Sequence, residues 1–243
     1  MIRHHAPSPS RRLLLSALAL SLFGAFSPGA LARDERLRIG IVGTGRIGGT
    51  LAELWARAGH HLVISSRHPE RLEPLAVRLG EHVRSGTPTE AAAFGEVILI
   101  SVPYGALPDL GKTLAPHIAG KVVLETGNPF PGRDGPMAQL ARAKGTGIAS
   151  AEYLPGARLV RAFTSIPHRL LRSEAHHTDA RIGVALAGDD REALATARRL
   201  VAEAGFEPVV VGPLAEAHRF DVGSAVFGRA LTAAELRRTL GLD

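Results

Sequence analysis

The chain is constrained most by a strand that runs directly into a glycine-spaced turn and then a helix. Residues 37–42 (LRIGIV) read as a buried parallel strand, residues 43–48 (GTGRIG) as the turn, and residues 50–58 as the helix that follows. In such a turn Gly43 allows the sharp bend, and Gly45, lacking a Cβ, lets the backbone approach a pyrophosphate. Gly48 lets helix and strand pack closely, while unpaired N–H groups at the helix start hold phosphates. A purely structural strand-to-helix turn is the plainer reading of the same residues. The flanking strand and helix favour a nucleotide site.

A second strand at residues 61–64 ends about 20 residues past the glycines, where an NAD-preferring site places an acidic residue on the ribose 2′-hydroxyl. Here the chain has Ser65, Ser66 and Arg67. Two hydroxyls and a guanidinium fork suit a 2′-phosphate, so the expected cofactor is NADP(H). A solvated surface arginine is the alternative for Arg67. Glu70 and Glu73 are other candidate ribose partners, beyond Pro69.

Length and composition fit this reading. A chain of 243 residues with 45% hydrophobic and 21% charged content is long enough for one α/β domain with a sizeable core. With only 5% aromatics, Val, Ile, Leu and Ala must carry that core, as they do in buried parallel sheets. Further strand-like runs at residues 97–102, 121–125, 158–163, 181–187 and 207–211 alternate with helical stretches at 90–94, 107–114, 137–144, 191–203 and 232–240. That alternation predicts a mostly parallel, doubly wound sheet that binds ligand outside the strand carboxyl ends. Asp189 or Asp190 is the expected cap of the helix at 191–203, and Gly205 its stop.

The first 32 residues differ from the rest. Arg3, Arg11 and Arg12 precede an apolar run at residues 13–26, and Ala30-Leu31-Ala32 resembles a small-x-small cleavage site, so residues 1–32 are expected to be a signal peptide. The run is shorter than the span of about 20 residues that a membrane helix needs, so no stable membrane anchor is expected. Ser10-Arg11-Arg12-Leu13-Leu14 resembles the twin-arginine export signal, which implies a periplasmic or otherwise exported protein. Losing these residues removes three arginines and no acid, lowering the formal charge from +6 to +3. Without a basic run interleaved with aromatics, nucleic-acid binding is not expected. Cysteine is absent, which excludes disulfides, thiolate metal sites and cysteine nucleophiles. Residues 33–243 are expected to form one nucleotide-binding domain, with 166–243 as a short C-terminal extension. An apolar segment at residues 220–231 could serve a pocket lid or a homodimer.

Several pieces together resemble the coenzyme F420-dependent NADP oxidoreductases (NADPH-dependent F420 reductases), whose nucleotide module also occurs in some ferric reductases. They are residues 39–49, Ser65-Ser66-Arg67-His68-Pro69-Glu70, Ser101-Val102-Pro103-Tyr104, Thr126-Gly127-Asn128-Pro129, Val160-Arg161-Ala162-Phe163 and residues 205–214. The resemblance implies a Rossmann-like fold in which Thr44, Arg46 and Ile47 cradle the pyrophosphate while Ser66 and Arg67 hold the 2′-phosphate. Val102, Pro103 and Tyr104 would lie along the nicotinamide ribose, with Asn128 and Pro129 bordering the nicotinamide. For Pro103 and Pro129, ordinary turn chemistry is the alternative. Where the family shows Ala-Phe-Asn this chain has Ala162-Phe163-Thr164, which points to a different acceptor.

The implied activity is hydride transfer between NADPH and a small acceptor, a flavin or deazaflavin among the candidates. Such transfer needs close stacking and exclusion of water more than an acid or base, so no catalytic residue is assigned. A non-catalytic NADP-binding redox sensor or partner protein is the competing reading. Tyr153 is followed four places on by Ala157, so a Tyr-x-x-x-Lys pair is absent, and no lysine follows Lys144. Of the eleven histidines, the adjacent His176 and His177 with His168 are expected to be loop residues rather than a metal site. His60 and His61 are expected to be structural, and His218 is a weaker candidate for substrate contact.

Overall fold

A computed structural model describes residues 1–2, 36–177 and 180–242. The expected signal peptide therefore lies almost wholly outside the described residues. In chain order the elements are β1 (Arg38–Val42), α1 (Arg46–Arg57), β2 (His61–Ser65), α2 (Glu73–Leu79), β3 (Val83–Gly86) and α3 (Pro88–Phe94). Then come β4 (Val97–Ile100), α4 (Leu107–Ile118), β5 (Val122–Glu125), α5 (Pro131–Asp134), α6 (Pro136–Lys144), α7 (Thr146–Tyr153) and β6 (Arg158–Arg161). The chain finishes with α8 (Leu170–Ser173), β7 (Gly183–Gly188), α9 (Arg191–Glu203), β8 (Glu207–Gly212) and α10 (Ala233–Leu240).

The strands form one sheet in the order β3-β2-β1-β4-β5-β6-β7-β8. Every neighbouring pair is parallel except β6 with β7, so the sheet is mostly parallel, as the alternating pattern predicts. Strand order reverses between β1 and β4, which opens a crevice at the carboxyl ends of these two strands. The turn at residues 43–48 leaves β1 at that crevice.

Both faces of the central strands are buried, which explains continuous apolar runs such as Val97-Ile98-Leu99-Ile100. One face packs against α1, α2 and α9, with Leu51, Trp55, Ala76, Ala197 and Leu200 in the same core as Ile39 and Ile41. The other packs against α3, α4 and α7, through Ala91, Leu107, Leu114 and Ala149. Trp55 is wholly buried, stands edge-on to Phe163 and donates its indole N–H to Leu200 O at 2.9 Å, tying the first helix to the last large one.

Five elements, α2, β3, α5, α7 and α8, escape the sequence pattern. β3 is a short edge strand of Val-Arg-Ser-Gly whose burial does not produce an apolar run. α7 is rich in small residues and carries little amphipathic signal. The cap of α9 is Asp190, whose carboxylate accepts from Ala193 N at 2.8 Å and binds Arg158 through both oxygens. Those bonds, from Arg158 first, hold its pKa well below the usual carboxylate range.

The residues after 166 add β7 and β8 to the same sheet. The apolar segment at residues 220–231 also differs from expectation. Phe220, Val226 and Leu231 are buried against Ala185, Ala187, Val209 and Leu236, so they complete a third core and do not form an exposed lid or dimer face. Among the described residues, no helix is long and apolar enough to cross a membrane.

Candidate functional site

The turn after β1 meets the steric demands of its three glycines. Gly43 has φ of +96°, and a Cβ there would stand 2.4 Å from Ser101 O. A Cβ on Gly48 would lie 2.0 Å from Gly43 O, so helix and turn approach at a distance only glycine permits. At Gly45 nothing lies within 4 Å, which leaves an open place above the helix start.

Gly43 N and Thr44 N both donate to Ser65 O at 3.1 Å, and Thr44 Oγ1 donates to the same carbonyl at 3.0 Å. Thr44 thus fastens the turn to β2. The first turn of α1 has no side-chain cap and no acidic residue, and its first backbone bond is Gly49 N to Gly45 O at 2.8 Å. The N–H groups of Arg46, Ile47 and Gly48 therefore face outward as an anion-binding end. Arg46 is exposed beside them and has no ionic partner among the described residues.

At the end of β2, Ser65 is wholly buried and its Oγ donates to Ile41 O at 2.8 Å. Its side chain pins two strands together and cannot reach a ligand, which corrects the expectation for that residue. Ser66 is half-buried, with Oγ accepting from His68 N at 3.0 Å. Arg67 is exposed and unpaired among the described residues.

On the other side of the turn, a cavity of about 300 Å³ is lined by Arg46, Ile47, Val102, Pro103, Asn128 and Arg133, among others. Asn128 Nδ2 donates to Thr164 O at 2.8 Å, leaving Oδ1 buried and without a hydrogen-bond partner. Thr164 is itself buried with an unpartnered Oγ1. Pro129 is buried behind this wall.

The loop carrying Asn128 is braced from two sides. Arg133 Nη2 donates to Asn128 O at 2.7 Å, and Asp134 accepts from Arg133, from Phe130 N at 2.9 Å and from Gly105 N at 3.1 Å. Burial alone would raise the Asp134 pKa, but these donors hold it below the ordinary value. Beneath the loop lies a buried ionic cluster. Arg161 is fully enclosed and donates to Glu125, to Gly127 O at 2.8 Å and to Asp221 Oδ1 at 3.0 Å. Gly127 N also donates to Glu125, and Ser150 Oγ donates to it at 3.1 Å. Burial pushes the Glu125 pKa up against the pull of Arg161 and the Gly127 N–H. For Arg161, burial opposes the charge, but Glu125 and Asp221 outweigh it and keep the guanidinium protonated.

Tyr104 belongs to this cluster and not to the cavity. Its ring is wholly buried, its hydroxyl lies 2.9 Å from Ser150 Oγ, and burial, then the Glu125 charge, raises its pKa. The expectation that it lines a nicotinamide ribose is corrected. Val102 and Pro103 remain on the cavity wall.

Sequence reasoning assigned no role to Glu125, Arg161 or Asp221. One signal was available: Glu125 and Arg161, opposite charges ending two apolar strands, are direct partners in the β5–β6 register. Of the histidines, His60 is buried, accepts from Leu37 N at 3.0 Å through Nδ1 and meets Glu203 at 2.8 Å through Nε2, a structural role. His218 is exposed, with Nδ1 against Ala215 O at 2.7 Å. Among the described residues, no group of three His, Cys, Asp or Glu side chains comes together as a metal site.

Comparison with known proteins bears on the same crevice. The family model described as NADP oxidoreductase, coenzyme F420-dependent, matches residues 38–129, from β1 to the Asn128 loop. The fold is Rossmann-like. It superposes on a hypothetical protein from Sinorhizobium meliloti with a TM-score of 0.71 at 25% identity, over 81% of this chain and 95% of that one. A protein from Arthrobacter sp. FB24, provisionally named an F420-dependent NADP reductase, gives a TM-score of 0.64 at 21% identity over 81% and 99% of the two chains. The metalloreductase STEAP3 of Rattus norvegicus is 28% identical over 200 residues, which is 80% of this chain and 38% of that relative. The chain thus spans less than half of that relative's length. The family model that matches residues 38–129 is that of NADP oxidoreductases, and the fold is the Rossmann-like one shared with the superposed structures.

Proposed function

We propose that this protein binds NADPH across the β1–β4 crevice and passes hydride to a flavin, a deazaflavin or another small acceptor. The reading rests chiefly on the unblocked N-terminus of α1 at Gly45, between Arg67 on one side and the Asn128 cavity on the other. The N–H groups of Arg46 and Ile47, with the Arg46 side chain, would hold the pyrophosphate. Ser66 and Arg67 would hold the 2′-phosphate, where no carboxylate repels it. Asn128 would border the nicotinamide, and its unpartnered Oδ1 suits the carboxamide N–H.

When bound, NADPH supplies two electrons and a proton as hydride, and solvent supplies the second proton to a flavin-type acceptor. The chain's own residues bind, orient and exclude water. Arg133 and Asp134 fix the loop that carries Asn128. Arg161 fixes the same loop from below by holding Gly127 O.

Structural relatives of the same fold support the cofactor assignment, among them a reductive aminase from Aspergillus terreus in complex with NADPH and ethyl levulinate, with a TM-score of 0.51 at 22% identity. The test is a nicotinamide-fluorescence titration with NADPH and NADH in parallel, followed by addition of riboflavin to the NADPH complex. Tighter binding of NADPH and its oxidation on mixing support the proposal. Tight binding without oxidation by any added acceptor would favour the sensor reading, and binding of neither nucleotide would remove both. We further propose export by the twin-arginine route. Replacing Arg11 and Arg12 with lysine should then leave the protein in the cytoplasmic fraction.

A further inference from the structure

β6 ends at Arg161, and Ala162 N still donates to Glu125 O at 3.1 Å, which carries the parallel ladder one residue further. At Phe163 the backbone turns left-handed, with φ of +58°. Only one other non-glycine residue among those described has a positive φ, His176 in an exposed loop. For a bulky side chain this conformation is an outlier that persists only where the surrounding structure enforces it. Two aromatic rings supply the enforcement here. Phe163 is 1% exposed, and its ring meets Trp55 and Phe206 edge-on, with centroids at 6.4 Å and 6.3 Å. Trp55 is itself fixed by its indole bond to Leu200 O.

The left-handed turn sets the carbonyl of the next residue, Thr164 O, against Asn128 Nδ2 at 2.8 Å. A carbonyl oxygen can only accept, so the amide nitrogen must face it and the amide oxygen must face away. Oδ1 is then the side-chain atom of Asn128 left without a partner, in a residue that lines the cavity of about 300 Å³. Without the Thr164 carbonyl the amide could turn over and present a donor instead. We infer that Phe163 is a positioning residue: its clamped left-handed backbone selects the amide orientation in which Asn128 offers an acceptor to the nicotinamide carboxamide. The inference rests on the proposed placement of NADPH. It gives a residue that does not line the cavity control over which hydrogen bond the cavity makes.

Glycine and alanine at position 163 separate the ring from the backbone. Both substitutions remove the same ring, but glycine adopts positive φ freely, whereas alanine disfavours it by roughly 5- to 30-fold in population. The probes are NADP⁺ and its 3-acetylpyridine analogue, which keeps the carbonyl and lacks the carboxamide N–H. In calorimetry with the full chain, wild type should bind the analogue about 2- to 13-fold more weakly than NADP⁺, the share of one neutral hydrogen bond. Asn128→Ala should abolish that ratio. Phe163→Gly should keep it, and Phe163→Ala should lower it toward one. The nicotinamide-free 2′-phospho-ADP-ribose should bind both position-163 variants with equal affinity. Phe206→Leu loosens one side of the clamp and should bring the ratio part of the way down; it is the test to use where the ring deletions fail to fold.

Equal ratios in the glycine and alanine variants would overturn the inference, since the left-handed backbone would then make no difference to the amide. So would weaker binding of 2′-phospho-ADP-ribose to the alanine variant alone, which would make Phe163 a support of the whole nucleotide site. An unchanged ratio in Phe206→Leu would also overturn it. A wild type that binds both dinucleotides equally, or an Asn128→Ala variant that keeps the ratio, fails at an earlier step. Asn128 would then not meet the carboxamide, and the placement of NADPH would fall together with the inference.

Discussion

Replacing Arg161 with methionine isolates the contribution of the buried cluster. Methionine can occupy the space of the arginine stem, but it leaves the Glu125 and Asp221 carboxylates without their shared counter-charge. It also leaves Gly127 O without its donor. Removing one partner of a buried ion pair costs about 3–5 kcal/mol. With a urea dependence of about 2 kcal/mol/M, the unfolding midpoint should fall by roughly 2 M. The triple variant Arg161→Met/Glu125→Gln/Asp221→Asn removes the uncompensated charges and should recover at least half of that loss, because neutral packing commonly replaces a buried pair at little cost. Urea unfolding followed by Trp55 fluorescence measures both. A shift below about 0.5 M for the single variant, or a triple variant no more stable than the single, would refute the reasoning.

Three further outcomes are expected. Arg67→Ala should weaken NADPH binding by about 10- to 150-fold and leave NADH nearly unchanged in a fluorescence titration, from the loss of about 1.5–3 kcal/mol of charged hydrogen bonding; equal losses for both nucleotides would contradict the 2′-phosphate assignment. Gly43→Ala should destabilise the fold by at least about 1–3 kcal/mol in urea, because its φ is positive and Ser101 O blocks a Cβ, whereas Gly45→Ala should fold normally and weaken NADPH alone. The raised pKa of Glu125 means that its contribution is fully present below pH 4.5 and is lost as pH rises through the folded-state value. The stability of wild type minus that of Glu125→Gln should therefore fall as pH rises from 4.5, and a difference that grew with pH would show that Arg161 wins over burial.

The parts legible in the sequence are those in which local chemistry and tertiary role coincide. The glycines at 43 and 48 are required by the backbone itself, Gly45 leaves open space above the helix start, and α9 is announced by Asp190, an amphipathic alanine-rich run and Gly205. β3 was not legible because its edge position removes the need for an apolar run. Ser65 and Tyr104 stand where ligand contacts are expected, but position along the chain does not show which way a side chain turns. Ser65 turns inward to Ile41 O, and Tyr104 turns toward Ser150. The Arg161 cluster required knowledge of which strands lie side by side, and Asp221 reaches it from 60 residues away in the chain.

The bond from Arg161 to Asp221 limits how the protein can be cut or recombined. The family match ends at residue 129, which suggests a cassette that could be transplanted or expressed alone. The loop bearing Asn128, however, is held by a guanidinium from β6 whose second carboxylate lies beyond β8. A fragment ending after the Asn128 loop would lack Arg161, and one ending before Asp221 would bury the cation with half its partners. Any functional graft must carry the chain through at least residue 221, so insertion and deletion are restricted to exposed turns that leave this long-range clasp closed.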